Sequence, residues 1–166
     1  IVQQKNNADA RGWLRETHSN KVINYNPFVF EYCTTSKKNV LRGFHFQTHF
    51  QQAKYVNVIK GKILDCVIDL RKNSKTFGKY FSIILSDKNC LGLYIPEGFA
   101  HAYFSYEKLN IIYYKLTNYY KPKYENGIVW NDSSLKIKWP IKKPSVSKKD
   151  RNLKSFSFFC RSIKGL

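Results

Sequence analysis

The chain has 166 residues, which is enough for one domain with a substantial buried core. Aromatic residues make up 16% of it, with 12 Tyr and 12 Phe, and this favours an ordered, β-rich protein over a disordered one. No apolar run approaches the ~18 residues of a membrane span and no signal-peptide pattern opens the chain, so we expect a cytoplasmic protein without a membrane partner.

The formal net charge of +18 has two interpretations. A strongly basic chain can bind nucleic acid or another polyanion, and its field also attracts phosphorylated substrates. The lysines are nevertheless scattered, and the densest group near the C-terminus is Lys142, Lys143, Lys148 and Lys149. Because scattered lysines are typical of a solvated surface, we expect no nucleic-acid partner. The four cysteines form no C-x-x-C pair and are predicted to be reduced thiols.

The predicted elements are short strands. Arg11-Gly12 indicates a turn into a first strand, and from residue 28 onward strands are expected at 28–33, 40–47, 54–60, 63–70, 79–86, 91–95, 101–105 and 109–118. Gly61-Lys62 is typical of a tight hairpin between two of them. Strands at intervals of ~8–12 residues without a helical period predict an all-β antiparallel sandwich or barrel.

The C-terminal part is predicted to form a tail. Pro122, Pro140 and Pro144 interrupt it, so we expect residues from about 141 to pack on the barrel within a single domain that spans 1–166. Residues 155–166 contain three Phe, and their pattern leaves a short helix and a strand equally open.

The segment with the strongest chemical signal is L-R-G-F-H-F-Q at 41–47. His45 is suited to proton transfer near neutral pH, and Arg42 offers a planar fork of donors for phosphate. Arg42 and His45 would face opposite sides of a flat strand, and Gly43 between them predicts a bulge. The alternative is a structural core histidine, which would be preferred if His45 stood alone.

A second motif, I-P-E-G-F-A-H-A-Y at 95–103, has the Pro-x-Gly-x-x-His spacing that resembles the second half of the cupin signature. Many cupins bind a metal with three His and one Glu. Here His45 and His101 are present, but Gln47 occupies the place of another His and no Glu follows. His49 could supply a third ligand, yet two histidines without a carboxylate make a poor site, so we predict no metal.

A metal-free barrel lined by His45, Arg42, His101, Lys54 and tyrosines is suited to proton abstraction beside a carbonyl group. A base removes the C–H proton, a cation stabilises the enolate oxygen, and an acid returns a proton to the opposite face. This sequence of steps is an epimerisation. The run Tyr113-Tyr114-Lys115 offers a phenol for the acid.

The chain resembles the dTDP-4-dehydrorhamnose 3,5-epimerase family from about residue 9 to residue 150. Ordered motifs carry the resemblance: L-R-G-F-H-F-Q, D-L-R (69–71), S-K-T-F-G (74–78), Y-I-P-E-G-F-A-H (94–101), Y-K-L-T (114–117), W-N-D (130–132), I-K-W-P (137–140) and S-K-K-D (147–150). The resemblance implies a cupin-type jelly-roll homodimer that needs no cofactor. Its substrate would be a nucleotide-diphosphate 4-keto-6-deoxy sugar, inverted at C3, C5 or both for deoxysugar or surface-glycan biosynthesis.

The resemblance also implies roles for individual residues. His45 matches the general base, Asp150 the carboxylate that pairs with it, Tyr114 the proton donor and Lys54 the enolate stabiliser. Substrate-binding positions are matched by Arg42, Arg11, Glu16, His101, Tyr120, Glu125 and Lys149, with Arg42 expected on the diphosphate and Tyr120 on the base. Asp65 is either an orienting partner for His101 or a structural strand residue.

The chain departs from the family pattern near the nucleotide. Phe30-Glu31-Tyr32 stands where the family usually has Gln-Asp-Asn, Asn57 replaces a cation, and Ile111 replaces an acidic residue. These departures leave dTDP, GDP and CDP open as the nucleotide. The competing hypothesis is a non-catalytic, basic cupin module that binds polyanions or nucleotides.

Overall fold

The computed structural model describes residues 1–23, 27–163 and 166. Its elements in chain order are β1 (Val2–Gln3), β2 (Asn6–Asp9), β3 (Gly12–Arg15), β4 (Phe30–Ser36), β5 (Leu41–Gln47), β6 (Lys54–Lys60), β7 (Lys62–Asp69), β8 (Tyr80–Ser86), β9 (Leu91–Ile95), β10 (Phe99–Ser105), β11 (Asn110–Leu116), β12 (Glu125–Gly127), α1 (Lys148–Arg151) and α2 (Phe156–Ser162). A 3₁₀ turn at Pro122–Tyr124 precedes β12. Among the described residues, no helix is long and apolar enough to cross a membrane.

Ten strands form two five-stranded antiparallel sheets. The first has the order β1-β9-β6-β11-β4, the second has the order β12-β5-β10-β7-β8, and β2 pairs with β3 in a separate hairpin. This is the jelly roll of the cupins, so the prediction of an all-β fold is confirmed. The predicted strands are present in the structure, and their ends differ from the prediction by a few residues. The strands predicted at 54–60 and 91–95 match β6 and β9.

The main core lies between the sheets and follows the period-two alternation of the strands. On β11, Ile112, Tyr114 and Leu116 are buried, whereas the residues between them are partly exposed. A second apolar cluster covers the outer face of the second sheet. There Phe159 of α2 packs edge-on against Phe46 of β5, with ring centroids 5.4 Å apart. Residues on the inner faces of β4, β5, β6, β10 and β11 are therefore brought together.

The predicted hairpin at Gly61-Lys62 is wrong. β6 pairs with β9 and β11 in the first sheet, whereas β7 pairs with β8 and β10 in the second. The chain crosses between the sheets at Gly61, whose φ is +90° and whose amide donates to Asp87 Oδ2 at 3.1 Å. A Cβ there would lie 2.5 Å from the Leu109 carbonyl oxygen. A glycine between two strands marks a sharp change of direction, but it does not reveal whether the strands pair.

The D-L-R and S-K-T-F-G motifs together build one turn around Asp69. This buried carboxylate accepts hydrogen bonds from the Arg71 guanidinium at 2.7 and 2.9 Å, from Ser74 Oγ at 2.5 Å and from Thr76 Oγ1 at 2.6 Å. Burial alone would raise the pKa of Asp69, but these donors outweigh it and hold the pKa well below its usual range. These two motifs therefore have a structural role.

The C-terminal tail returns to the second sheet. The Leu41 amide donates to the Ser145 carbonyl at 2.9 Å, and the Val129 amide donates to the Lys154 carbonyl at 2.9 Å. Ser147 caps α1, and Asp132 Oδ2 accepts from the Phe156 amide at 2.7 Å at the start of α2. Part of 155–166 is therefore helical, while 164–165 lie outside the described residues. α1 carries Asp150 back to β5.

Candidate active site

The bulge predicted at Gly43 is confirmed by the register of β5 with β10. His45 lies opposite His101 and Arg42 lies opposite Tyr103, so three steps on β5 correspond to two steps on β10. Paired residues lie on the same face of a sheet, and His101 and Tyr103, two positions apart on β10, share one face. Arg42 and His45 therefore share that face despite their opposite parity. Gly43 has a φ of +115°, and a Cβ there would lie 2.5 Å from the His101 carbonyl oxygen. Only glycine fits this position.

His45 and Asp150 form the first histidine–carboxylate pair. His45 Nε2 lies 2.7 Å from Asp150 Oδ1, and the Gly43 amide donates to Asp150 Oδ2 at 3.2 Å. The Asp150 side chain is 4% exposed and that of His45 is 31% exposed. Burial raises the pKa of Asp150, but the hydrogen bond and the charge of His45, together with the hydrogen bond from the Gly43 amide, lower it further than burial raises it. The ionised carboxylate accepts from Nε2–H and leaves Nδ1 as the basic nitrogen.

His101 and Asp65 form a second, fully buried pair. His101 Nε2 lies 2.8 Å from Asp65 Oδ2, and the side chains are 6% and 0% exposed. Asp65 therefore orients His101, which decides between the two interpretations of this aspartate. The other oxygen, Asp65 Oδ1, is buried without a hydrogen-bond partner among the described residues.

Lys54 and Tyr114 lie on neighbouring strands beside these pairs. Burial lowers the pKa of Lys54 to about 8, against the attraction of the Asp65 and Glu125 carboxylates. Burial also raises the pKa of the Tyr114 phenol well above 10, with the neighbouring Tyr103 adding to the effect. The Tyr114 ring meets that of His101 edge-on at 6.1 Å. The site thus combines an imidazole paired with a carboxylate, an ammonium group with a lowered pKa and a buried phenol with a raised pKa.

The rim next to His45 carries opposite charges. β12 pairs with β5, with Gly127 opposite His45 and Glu125 opposite Gln47. Glu125 Oε2 accepts from Lys149 Nζ at 2.6 Å and from the Tyr120 hydroxyl. Burial raises the pKa of Glu125, but the hydrogen bonds from Lys149 and Tyr120 and the charges of Lys149 and His45 lower it further. Four predicted positions, His45, Glu125, Lys149 and Tyr120, are therefore adjacent.

A family model for dTDP-4-dehydrorhamnose 3,5-epimerase matches residues 1–157. The enzyme of that name from Methanothermobacter thermautotrophicus is 40% identical over 161 residues, which cover 93% of this chain and 87% of the relative.

The chain belongs to the dTDP-4-dehydrorhamnose 3,5-epimerase family.

Solved structures of the family are similar along most of the chain. The Bacillus anthracis 3,5-epimerase, with TDP and PPi bound, has a TM-score of 0.89 at 35% identity and covers 93% of this chain and 91% of its own. The Legionella pneumophila enzyme, in complex with dTDP-4-keto-L-rhamnose, has a TM-score of 0.92 at 32% identity, with coverages of 97% and 89%. The protein is therefore an isomerase, and this result favours the epimerase hypothesis over the binding module.

Two positions at which this 3,5-epimerase homologue departs from the family pattern line the inner face of β4. Phe30 and Tyr32 pack against the main core, and Tyr32 stacks on Tyr114 with centroids 4.8 Å apart and ring planes 23° apart. Burial raises the pKa of Tyr32 to about 12. The third departure, Asn57, has the opposite parity to Lys54 on β6, and its side-chain oxygen accepts from Gln4 Nε2. Phe30 and Tyr32 thus change the site, and Asn57 ties down the N-terminal segment.

Two predicted substrate-binding residues of this epimerase lie apart from His45 within the chain. Arg11 is at the tip of the β2–β3 hairpin, where its guanidinium pairs with Asp9 at 2.6 Å. Glu16 follows β3 and lies 3.9 Å from Lys5. Their role in substrate binding stays a prediction.

The residues considered as metal ligands in this epimerase are engaged elsewhere or isolated. Gln47 Nε2 donates to the Phe50 carbonyl at 2.7 Å, and its oxygen accepts from the Lys121 amide at 2.6 Å. The ring of His49 packs on Tyr124 at 5.0 Å. In the part of the chain that the structure describes, no three His, Cys, Asp or Glu side chains are grouped as metal ligands.

Our sequence interpretation missed Thr34, Ser36 and Tyr103. Tyr103 OH lies 2.8 Å from Ser36 Oγ and 3.2 Å from Thr34 Oγ1, on the inner side of β4. The even positions of β4 from 30 to 36 all face the site, so the alternation of this strand was the available signal. It could not reveal the partner strand.

Proposed function

We propose that this epimerase acts on a dTDP-linked 4-keto-6-deoxyhexose and inverts C3, C5 or both. The observation that carries the proposal is that the His45–Asp150 pair lies opposite His101, whose ring meets the Tyr114 ring edge-on. The ligands of two relatives, TDP in the Bacillus anthracis enzyme and dTDP-4-keto-L-rhamnose in the Legionella pneumophila enzyme, support dTDP over GDP and CDP.

In the proposed mechanism, His45 Nδ1 removes a proton from the carbon beside the ketone, and the C–H electron pair forms the enolate. Asp150 stabilises the resulting imidazolium, since its carboxylate accepts from Nε2–H. Lys54, when protonated, stabilises the enolate oxygen. Tyr114 then donates its phenolic proton to the other face of the same carbon, which inverts it. His101, oriented by Asp65, binds the sugar next to Lys54.

The rim is proposed to bind the nucleotide diphosphate. Arg42 is exposed, and its guanidinium is a planar donor for phosphate oxygens. Lys149 lies next to Glu125 on the rim, and this carboxylate partly balances its charge. Tyr120 is 48% exposed and offers a ring on which a base can stack. The overall charge of +18 adds a favourable long-range field.

We further propose a homodimer in which each hairpin reaches the partner's site. The β2–β3 hairpin exposes two apolar side chains, Trp13 at 52% and Leu14 at 64%. Large exposed apolar side chains on a projecting element are typical of an interface. Arg11 and Glu16 would then bind substrate across the dimer. A cytoplasmic location is proposed as well, and the four free thiols agree with a reducing compartment.

The dimer can be tested by complementation. Arg11→Ala and His45→Ala are inactive separately if both residues are needed. A mixed dimer then regains one complete site, composed of His45 from one subunit and Arg11 from the other. Each hybrid dimer therefore recovers up to about half of the activity of the wild-type dimer. Recovery supports a shared site, whereas no recovery in verified hybrids contradicts it. Light scattering that gives a monomer also contradicts it.

The reaction is tested by solvent exchange. Incubation of a dTDP-4-keto-6-deoxyhexose in deuterated water is expected to label C3, C5 or both, as followed by NMR. His45→Ala should abolish the labelling, and His49→Ala is the matched control, because His49 packs on Tyr124 away from the dyad. If folded protein labels none of the dTDP-, GDP- and CDP-linked ketosugars, the proposed function is wrong.

The acid role is tested by Tyr114→Phe, which should preserve exchange better than net inversion. The base can still remove and return protons on its own face, while the opposite face lacks a donor. Tyr113→Phe is the control on the same strand, since the Tyr113 hydroxyl bonds to Glu31 on the outer face. Equal loss of exchange and inversion would remove Tyr114 from the acid role.

The remaining alternatives have their own measurements. A calorimetric comparison of TDP, GDP and CDP is expected to favour TDP, with weaker binding by Tyr120→Ala. Salt-sensitive retention on DNA or heparin that His45→Ala leaves unchanged and nucleotide sugars do not displace would support the binding module. Stoichiometric iron, nickel or manganese in protein purified without chelator would support a metal-dependent cupin.

A further inference from the structure

The proposed acid, Tyr114, has one direct neighbour on each side within its own sheet. Tyr32 lies directly opposite it on β4, and Val56 lies directly opposite it on β6. Opposed residues of paired strands point to the same face, so the three side chains share the inner face of the sheet. Val56 is fully buried and Tyr114 is 3% exposed, whereas Tyr32 is partly exposed on the edge strand. Tyr32 therefore covers the side of Tyr114 that faces the edge of the sheet.

Ring contacts reach the phenol from two directions. Tyr32 stacks on Tyr114, with the ring centroids 4.8 Å apart and the ring planes 23° apart. From the opposite sheet, the ring of His101 meets Tyr114 at 6.1 Å with the planes 66° apart, and His101 is itself hydrogen-bonded to Asp65 at 2.8 Å. Both are favourable arrangements for aromatic rings. A rotation of the Tyr114 ring away from its present position would break the stack with Tyr32.

Further rings support Tyr32 on the same face of β4. Phe30, two positions earlier, meets Tyr32 at 5.7 Å, and Tyr119 meets Phe30 at 6.2 Å. Phe30 and Tyr32 stand where the family usually has Gln and Asn. Because an amide side chain offers no ring, the stack on Tyr114 is a feature of this chain and not of the family pattern.

Proton donation to carbon depends on the position of the donor. The donor has to lie within hydrogen-bond reach of the carbon, on the face opposite the base, and small displacements lower the rate strongly. The phenol oxygen is the last atom of the Tyr114 side chain, so a rotation about the Cα–Cβ bond displaces it farther than any atom of the ring. Restriction of this rotation therefore favours inversion.

We propose that Tyr32 is a positioning residue that fixes the Tyr114 phenol for proton donation to the substrate. The stack opposes rotation of the Tyr114 ring towards β4, while Val56 and His101 occupy two other sides. Tyr32 acts through its ring, and its hydroxyl takes no part in the proton transfer. This inference rests on the acid role of Tyr114 in the proposed function.

Two competing explanations make different predictions. If Tyr32 only fills space beside the main core, loss of its ring lowers stability and changes exchange and inversion to the same extent. If Tyr32 instead binds the substrate through its hydroxyl, Tyr32→Phe raises KM. Under the proposal, Tyr32→Phe resembles wild type, and loss of the ring lowers inversion alone.

The test compares Tyr32→Leu, which removes the ring but keeps an apolar side chain, with Tyr32→Phe, which keeps the ring. Tyr32→Leu is expected to lower the kcat of net inversion about 3- to 10-fold, the range of one aromatic pair, with KM and deuterium exchange within about twofold of wild type. Tyr32→Phe should restore all three quantities. In a Tyr114→Phe background, Tyr32→Leu should lower inversion no further, because the residue that it positions has lost its proton.

Tyr106→Leu is the matched control. Tyr106 is also a partly exposed tyrosine, and its ring meets Phe104 edge-on at 5.1 Å, but it follows the end of β10 that is farther from His101. Its loss should leave inversion and exchange unchanged. If Tyr32→Leu does not fold, Tyr32→Asn takes its place, since asparagine is the usual family residue and also lacks a ring.

The outcomes separate the two levels of the argument. Wild-type inversion in a folded variant without the ring, equal losses of exchange and inversion, or a raised KM in Tyr32→Phe would each overturn the positioning role. A further loss of inversion in the Tyr114→Phe background would overturn it as well. Normal inversion by Tyr114→Phe alone would instead contradict the proposed acid, and with it the proposed function at this step.

Discussion

Exchange of Asp150 for asparagine is the sharpest perturbation of the proposed base. Asp150 accepts two hydrogen bonds, from His45 Nε2 at 2.7 Å and from the Gly43 amide at 3.2 Å. An asparagine side chain has one accepting oxygen and one donating amide, so it can satisfy only one of these donors. If its amide faces Gly43, two buried donors meet. If it faces His45, the histidine proton moves to Nδ1, the nitrogen that has to act as the base.

The magnitude follows from these two orientations. The charge-assisted bond to the imidazolium, worth about 1.5–3 kcal/mol, is lost in both. An unsatisfied donor or a wrong tautomer adds about 1 kcal/mol or more. A sum of about 2–4 kcal/mol corresponds to a decrease in kcat of about 30- to 1,000-fold.

The assay is the initial rate of deuterium incorporation at saturating substrate, with circular dichroism to establish folding. Asp132→Asn is the control, because Asp132 is also a tail carboxylate but binds Ser134 and the start of α2. It should keep the wild-type rate. A folded Asp150→Asn protein within about threefold of wild type would refute the dyad as the source of basicity.

Three further predictions concern charge and packing. The proposed stabilisation of the enolate by Lys54 requires its protonated form, and the pKa of Lys54 is lowered to about 8. In a pH–rate profile, kcat/KM should therefore fall as pH rises through about 8, and Lys54→Met should lower the rate at least ~100-fold. Asp69→Ala should lower the free energy of unfolding by about 3 kcal/mol, as measured in urea. Folding lowers the pKa of Asp69, so its stabilisation is present above the unfolded pKa of 3.8 and is lost as pH falls through the folded pKa. The variant should therefore lose less stability than wild type on acidification. Phe159→Ala should lower the free energy of unfolding by about 3–4 kcal/mol, because the ring is 2% exposed and packs on Phe46; a loss below about 1 kcal/mol would show that α2 is not firmly packed.

The strands, and the face of β5 that carries Arg42 and His45, were predictable because both depend on neighbours in the sequence. Alternation located β6 and β9, and the opposite parity of Arg42 and His45 around Gly43 predicted the bulge that the register confirms. The crossing at Gly61 was not predictable in this way. A strand–glycine–strand pattern is the same whether the second strand turns back beside the first or continues into the opposite sheet.

The pairing of His45 with Asp150 could be found only through the family resemblance. The two residues are 105 positions apart, and on composition alone Asp150 is a tail residue among lysines. Tyr103 was missed for a related reason. Its ring suits a core strand, and its hydroxyl acquires partners only when β10 is placed across the barrel from β4.

The sequence by itself determined which residues alternate between core and solvent, which chemical groups are available and to which family the chain is related. Only the tertiary structure decided which of those groups meet: a carboxylate at the imidazole, a second carboxylate at His101 and a stacked tyrosine ring at the Tyr114 phenol. The physical reason is that local patterns record the burial of each position, whereas contacts between distant strands depend on how the two sheets close around a shared core.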